Sequence, residues 1–166
     1  MPLGFVSAVF VLWLAQPTAA TLAVGAAIAA AGESLRIWAA GHLHKSREVT
    51  ASGPYRWLAH PLYVGSSIMG LGLAIASHSA IVAAIIAVYL AVTLTAAIKS
   101  EEAFLRGAFG DEYSRYQRGA GGRQPRRPFS LAQAMANHEP RAVAGLVVAV
   151  LLLILKATYN GSFAGR

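Results

Sequence analysis

Two adjacent carboxylates, Glu101 and Glu102, follow Lys99 at the close of a long apolar run, and His60 and Tyr63 stand at the opening of another. Neighbouring acids at a helix end suit a cation or a cationic ligand, although on an ordinary helix they are solvated surface. Glu33 and Arg36, three apart on one helix face, lie inside an apolar stretch. An unpaired charge there costs about 2.5–3.5 kcal/mol on insertion scales. They are read either as a structural ion pair near the helix end or as a polar group on the substrate side. His42 and His44, two apart, do not share a helix face and have no third ligand, so they read as interfacial loop histidines and no metal is assigned. The chain has no Cys, which excludes disulfides, thiolate zinc sites and a cysteine nucleophile. No nucleophilic triad or phosphate loop can be assembled either. What remains is chemistry that depends on binding and orientation more than on an elaborate catalytic group.

The elements that must position these residues are apolar helices. Of 166 residues, 56% are hydrophobic and 13% charged, whereas a soluble domain carries about a quarter charged residues. A spanning helix needs about 20 mostly apolar residues. The expected fold is an all-α, polytopic transmembrane bundle of about five spans with a cytoplasmic interfacial helix, and residues 1–166 are expected to form a single domain. The first run, Pro2 to Ala15, ends at Gln16-Pro17-Thr18, a breaker and cap signal. It resembles a signal peptide in its small-residue end, but no Lys or Arg precedes it, and span one is the preferred reading. Span two covers about Thr21 to Gly41 and is rich in Ala and Gly, which let helices approach closely in lipid. A polar connector, His42 to His60, contains the turn signal Gly53-Pro54. Span three opens with Pro61, where a missing N–H costs least, and continues to about Ala76. Gly65 reads chiefly as a packing residue. Ser77-His78-Ser79 makes a tight turn into span four, Ala80 to Ile98, so these two spans form an antiparallel hairpin. That hairpin sets Glu101 and Glu102 near His60 and Tyr63.

From Lys99 to Phe129 the chain is at its most polar. Phe104, Leu105, Ala108 and Phe109 recur at helical spacing, as do Tyr113 and Tyr116, which suggests an interfacial helix with its apolar face inward. Residues 119–128 break that pattern, and Ala142 to Thr158 forms a fifth span. The Lys/Arg-rich stretches follow spans two and four, while the connectors at Pro17 and His78 have neither residue. The positive-inside bias therefore places the amino terminus in the cytoplasm and the carboxyl terminus outside. The net charge of +7 fits a face against anionic lipid, and nucleic acid is not expected as a partner.

The ordered combination Gly53-Pro54-Tyr55, His60-Pro61-Leu62-Tyr63-Val64-Gly65, Gly70-Leu71-Gly72, then Glu101-Glu102 with Leu105, Phe109-Gly110, Tyr113 and Tyr116 resembles the isoprenylcysteine carboxyl methyltransferase and phospholipid methyltransferase family. Leu35-Arg36-Ile37-Trp38-Ala39 is similar as well. The likeness covers about residues 32–118, and each piece alone is weak. It implies an integral-membrane methyltransferase using S-adenosylmethionine, with a lipid or prenylated acceptor. By motif position, His60, Tyr63, Gly70, Gly72, Glu101 and Glu102 would line the cofactor site, and Tyr113 and Tyr116 would close it.

Physical chemistry agrees with that implication. The sulfonium and ammonium of the cofactor suit carboxylates and aromatic faces, and glycines leave room for the adenosyl group. Aligning acceptor, methyl and sulfur in a dry pocket lowers the barrier without a protein nucleophile. An amine acceptor must lose a proton, for which Glu102 is the candidate base. For an acidic lipid head, Arg36, which with Glu102 is also a candidate catalytic residue, and Arg123 or Arg126, with Glu33 beside Arg36, are the candidate substrate-binding groups. Two departures bear on the acceptor. Ala59 stands where the family usually has Arg, and the family's Pro-Arg element is blurred into residues 121–127. The competing classes are a membrane reductase related to sterol reductases and a non-enzymatic membrane scaffold.

Overall fold

The computed structural model describes residues 9–44, 50–117 and 127–163, without the side chains of 112–113 and 115–117. Among the described residues all regular structure is helical: α1 (9–14), α2 (Ala19–Ala40), a 3-10 turn (Gly53–Arg56), α3 (Pro61–Ser77), α4 (Ala80–Gln117), α5 (Leu131–Ala136) and α6 (Glu139–Tyr159). Helices α2, α4 and α6 are long and apolar enough to cross a membrane. The apolar α3 has 17 residues, about 25 Å at 1.5 Å per residue, a little short of a bilayer's hydrocarbon core. Of the five expected spans, three are helices of full length, α3 is shorter, and only the end of the first run is among the described residues. Ile81, Val88 and Val92 on α4, and Leu151 and Leu155 on α6, are more than half exposed. A bundle that turns large apolar side chains outward along two helices is one built for lipid. The fold is an all-α membrane bundle.

Local chemistry sets the boundaries. Thr18 and Thr21 form a reciprocal cap at the start of α2, with Thr21 N donating to Thr18 Oγ1 at 3.2 Å and Thr18 N to Thr21 Oγ1 at 3.1 Å. Pro61 opens α3, and His78, in the left-handed region at φ 47°, ends it. The helix α4 then passes straight from its apolar half into the polar stretch at Lys99 and is interrupted only at Gly110, where φ is 43° and ψ −112°. Phe104 and Ala108 are exposed and Leu105 and Phe109 half-buried, so the apolar face expected there is only partly covered.

The tightest packing joins α2 to α3. A Cβ on Gly25 would stand 2.4 Å from the backbone of Gly72 and Ala76, one on Gly32 would stand 2.5 Å from Met69 N, and one on Gly72 would stand 2.4 Å from Ala29 N. Gly25 meets the end of α3 and Gly32 its beginning, so the helices are antiparallel with their backbones almost in contact. Small-residue contact of this kind is how helices associate where lipid supplies no hydrophobic drive.

Each end of the bundle is tied separately. At one end Gln16 N donates to Ser77 O at 2.8 Å and Ser162 Oγ to Pro17 O at 2.9 Å. At the other, α5 covers the carbonyls left open where α2 stops. Asn137 Nδ2 donates to Ala40 O and Leu43 O at 2.8 and 2.9 Å, and Gln133 Nε2 to Leu43 O at 2.8 Å. His42 is buried beside this seam, against Gly53 and edge-on to Phe129. Burial, and secondarily the neighbouring His44, push its pKa down, so it is held as a neutral ring.

Candidate functional site

His60 precedes the first turn of α3, and the antiparallel α4 brings Glu101 and Glu102 to it. The imidazole lies between the two acids, with Nδ1 3.6 Å from Glu101 Oε2 and Nε2 3.5 Å from Glu102 Oε1. Consecutive helix positions point about 100° apart, so a planar ring with a nitrogen on each side is a shape that both can address. Tyr63 stacks one turn along α3, its ring 5.6 Å from that of His60. Arg106, one turn further along α4, donates from Nη2 to Glu102 Oε2 at 3.2 Å. The close approach of Glu101, with Glu102 on the other side of the ring, raises the His60 pKa against the opposing effect of burial.

The cluster stands at the mouth of an apolar groove of about 600 Å³ between α3 and α4. Ala59, His60, Tyr63 and Ser67 form one wall; Ala87, Ala91, Leu94 and Ile98 form the other. Alanines at these positions of α4 keep its backbone from filling the space. The groove ends where Leu90 leans onto Gly70, its Cδ1 2.4 Å from where a Cβ would sit. A carboxylate-rich mouth over an apolar trough can hold a cationic head and an apolar chain together.

The second charged pair is in a different place. Arg36 Nε lies 3.2 Å from Glu33 Oε2 and 2.9 Å from Oε1 of Glu139, the first residue of α6, while its Nη1 donates to Ser66 on α3. Both acids are buried. The guanidinium therefore ties α2, α3 and α6 together, and it is absent from the lining of the His60 groove. Spacing in the sequence indicated the Glu33–Arg36 pair. Glu139 was missed, though an acid before Pro140 at the start of a span was a readable helix-start signal.

The structure thus brings His60, Tyr63, Glu101 and Glu102 together. Gly70 and Gly72 lie further along α3, the first against α4 and the second against α2, and neither lines the groove. Tyr113 and Tyr116 lie in α4 but their side chains are outside the described residues, as are Arg123 and Arg126 entirely. Arg56 stacks over Trp57 at 5.4 Å, and Ala59 is part of the groove wall. The cation beside Glu102 is Arg106, which the sequence did not single out.

An apolar helical bundle with a carboxylate–histidine cluster at one end of a helical hairpin is the class that fold and site define. The chain belongs to the phospholipid methyltransferase family, whose profile matches residues 18–112. It is 35% identical over 97 residues to the cobalt-zinc-cadmium resistance protein CzcN of Cupriavidus metallidurans, covering 57% of this chain and 43% of that one. To the nickel-cobalt-cadmium resistance protein NccN of Alcaligenes xylosoxydans xylosoxydans it is 33% identical over 107 residues, covering 62% and 49%. The chain spans about half the length of the curated relatives it matches. No solved structure matches it.

Proposed function

We propose that this chain is an integral-membrane methyltransferase that moves a methyl group from S-adenosylmethionine to an amine or carboxylate on a lipid or prenylated acceptor. The observation that carries this reading is the His60–Glu101–Glu102 cluster at the mouth of the α3–α4 groove. Its donor set fits the cofactor, since two partly exposed carboxylates and a tyrosine ring are the partners that an ammonium and a sulfonium need. When bound, S-adenosylmethionine supplies a methyl carbon already activated for displacement. Glu101 and Glu102 hold the cationic groups, Tyr63 offers its ring, and His60 braces the two acids. The apolar trough from Val64 to Ile98 receives the acceptor's chain from the bilayer side and excludes water. Glu102 is the group to take a proton from an amine acceptor; a carboxylate acceptor needs none.

The basic residues flanking this end favour a cytoplasmic position under the positive-inside bias. Arg36, enclosed by Glu33, Glu139 and Ser66, acts in this reading by fixing α2 and α6 against α3. The two relatives named for metal resistance suggest where the product matters. Methylating a carboxylate removes an anionic group that divalent cations bind, and a role in resistance would run through such a change in the acceptor.

The test is calorimetric titration of S-adenosylmethionine and S-adenosylhomocysteine into the purified, detergent-solubilised chain, alongside Glu102→Ala. Saturable binding that weakens about 10- to 100-fold in the variant is expected from loss of a charge-assisted contact. A well-folded chain that binds neither compound would sink the assignment.

A further inference from the structure

Where α6 begins, two acids meet one guanidinium. Arg36 Nε stands 3.2 Å from Glu33 Oε2 and 2.9 Å from Glu139 Oε1, but its N–H is aimed at neither, and these two oxygens and Glu33 Oε1 accept no hydrogen bond. Nη1 of the same guanidinium turns to Ser66 on α3. Glu33 is 4% and Glu139 5% exposed, so water does not make up the difference. The two carboxyl groups lie within hydrogen-bonding reach of each other. Two carboxylates present only acceptors to one another, and a pair enclosed in one site does not keep both charges. One hydrogen on either acid supplies the missing donor and leaves a single negative charge to match Arg36.

The surroundings offer no other counter-charge among the described residues. From α3 the facing group is Ser66; α5 has no ionisable residue, and on α6 His138 and Arg141, on either side of Glu139 in sequence, are exposed.

We propose that Glu33 and Glu139 share one proton at neutral pH, and that this carboxyl–carboxylate pair is a proton-dependent clasp between α2 and α6. The clasp is independent of the methyl-transfer reading. It fastens α5 and α6, which lie beyond the residues 18–112 that match the family. The other ties of this unit, from Gln133, Asn137 and Ser162, are uncharged. When the proton leaves, two like charges face each other across the α2–α6 contact in apolar surroundings and push the start of α6 away from α2. The pair thus holds α5 and α6 down at neutral pH and loosens them at alkaline pH.

The proton is read by infrared spectroscopy of the whole chain in an ester-free detergent, where a protonated carboxyl has a carbonyl stretch separate from the carboxylate bands. Near neutral pH one such band is expected, lost in Glu33→Gln and in Glu139→Gln and kept in Glu102→Ala. Raising the pH should remove it reversibly from the parent chain, which tests the pair even where a Gln variant does not fold. Loosening is read by thiol labelling. The chain has no cysteine, and Ala134→Cys puts one on α5 at a position 2% exposed. Its reaction with a maleimide, relative to the same thiol in the denatured chain at the same pH, should accelerate at least about tenfold as the band disappears, the mark of local opening. With Glu33→Gln added, whose amide keeps a donor toward Glu139 at every pH, labelling should stay slow. The proposal is overturned if the folded parent chain has no protonated carboxyl at neutral pH, if the band survives both Gln substitutions, or if labelling does not follow its loss.

Discussion

On one side of α3, Gly65, Gly72 and Ala76 meet Gly25, Ala29 and Gly32 of α2, and a single added carbon would fall inside the neighbouring backbone. On the other, Gly70 faces the tip of Leu90, and beyond it α3 and α4 part to leave the groove below His60. Both faces use small residues, but on the first they let two backbones touch, and on the second the alanines of α4 leave space unfilled. A rigid α2–α3 pair can thereby hold one wall of a cavity whose other wall is a helix reaching well beyond it. The difference teaches that a glycine's meaning lies in what stands opposite it.

The sharpest way to break this contrast is to add side chains to each face. Gly72→Leu drives a side chain into Ala29 N and Gly25 O, 2.4 and 2.5 Å from the first added atom, and backbone cannot swing aside as a side chain can. We expect a loss of about 3 kcal/mol or more, at the top of the range for overpacking, seen as a collapse of the melting temperature in detergent. Gly70→Ala meets chiefly the flexible end of Leu90 and should cost under about 1 kcal/mol. Equal losses would mean that the faces are not different in kind.

Filling the groove instead of the seam separates function from fold. Ala91→Trp occupies the trough that Leu94 and Ile98 continue and leaves Glu101 and Glu102 in place. Binding of S-adenosylhomocysteine should stay within about twofold, while turnover of any long-chain acceptor falls at least tenfold, about 1.4 kcal/mol of transition-state binding. Parallel loss of both would place cofactor and acceptor in one undivided space.

His60 and His42 are pushed in opposite directions, and pH tells them apart. The folded pKa of His60 is above its ordinary value of about 6.5, so its protonated form stabilises the fold. That contribution is complete below about pH 6.5 and is lost as pH rises through the folded value. For His42 the folded pKa is lowered, so it destabilises as pH falls below about 6.5 toward that lower value. The difference in melting temperature between the parent chain and His60→Gln should therefore be largest at acid pH and shrink on the alkaline side. A difference that is flat with pH would show that the two carboxylates do not hold a proton on this ring.

Most of the framework is written in patterns that a sequence exposes. The Thr18 cap, Pro61, the turn at His78 and the apolar runs all act over a few residues, and the helices follow them closely. The Glu33–Arg36 pair and the approach of His60 to Glu101 and Glu102 were legible for the same reason, since a helical turn or a hairpin brings them together. Glu139 and Ser66 were not. Both reach Arg36 across helix contacts that no local spacing encodes. Gly70 and Gly72 show the converse. Their kind and spacing match a motif, yet only the identity of the opposing helix distinguishes the residue beside the groove's end from the one in the α2 seam.

Arg106 carries the smallest effect and sharpens the comparison of the two charged clusters. Its side chain is 60% exposed, and its contact to Glu102 is an ordinary helix pair one turn apart. Removing it in Arg106→Ala should cost no more than about 0.5 kcal/mol and matter less as salt is added. Its electrostatic effect on its neighbours is more telling. Arg106 offsets part of the Glu102 charge that favours protonated His60, so without it the His60 pKa should rise further and the pH-dependent step described above should move to higher pH. Arg36 is the opposite case, because it is buried and bridges three helices. There the same substitution strands two acids and should cost about 3–5 kcal/mol. If Arg106→Ala instead left the His60 titration where it was, the cluster at the groove mouth would be held by Glu101 and Tyr63 alone, and Glu102 would be free to serve as the base.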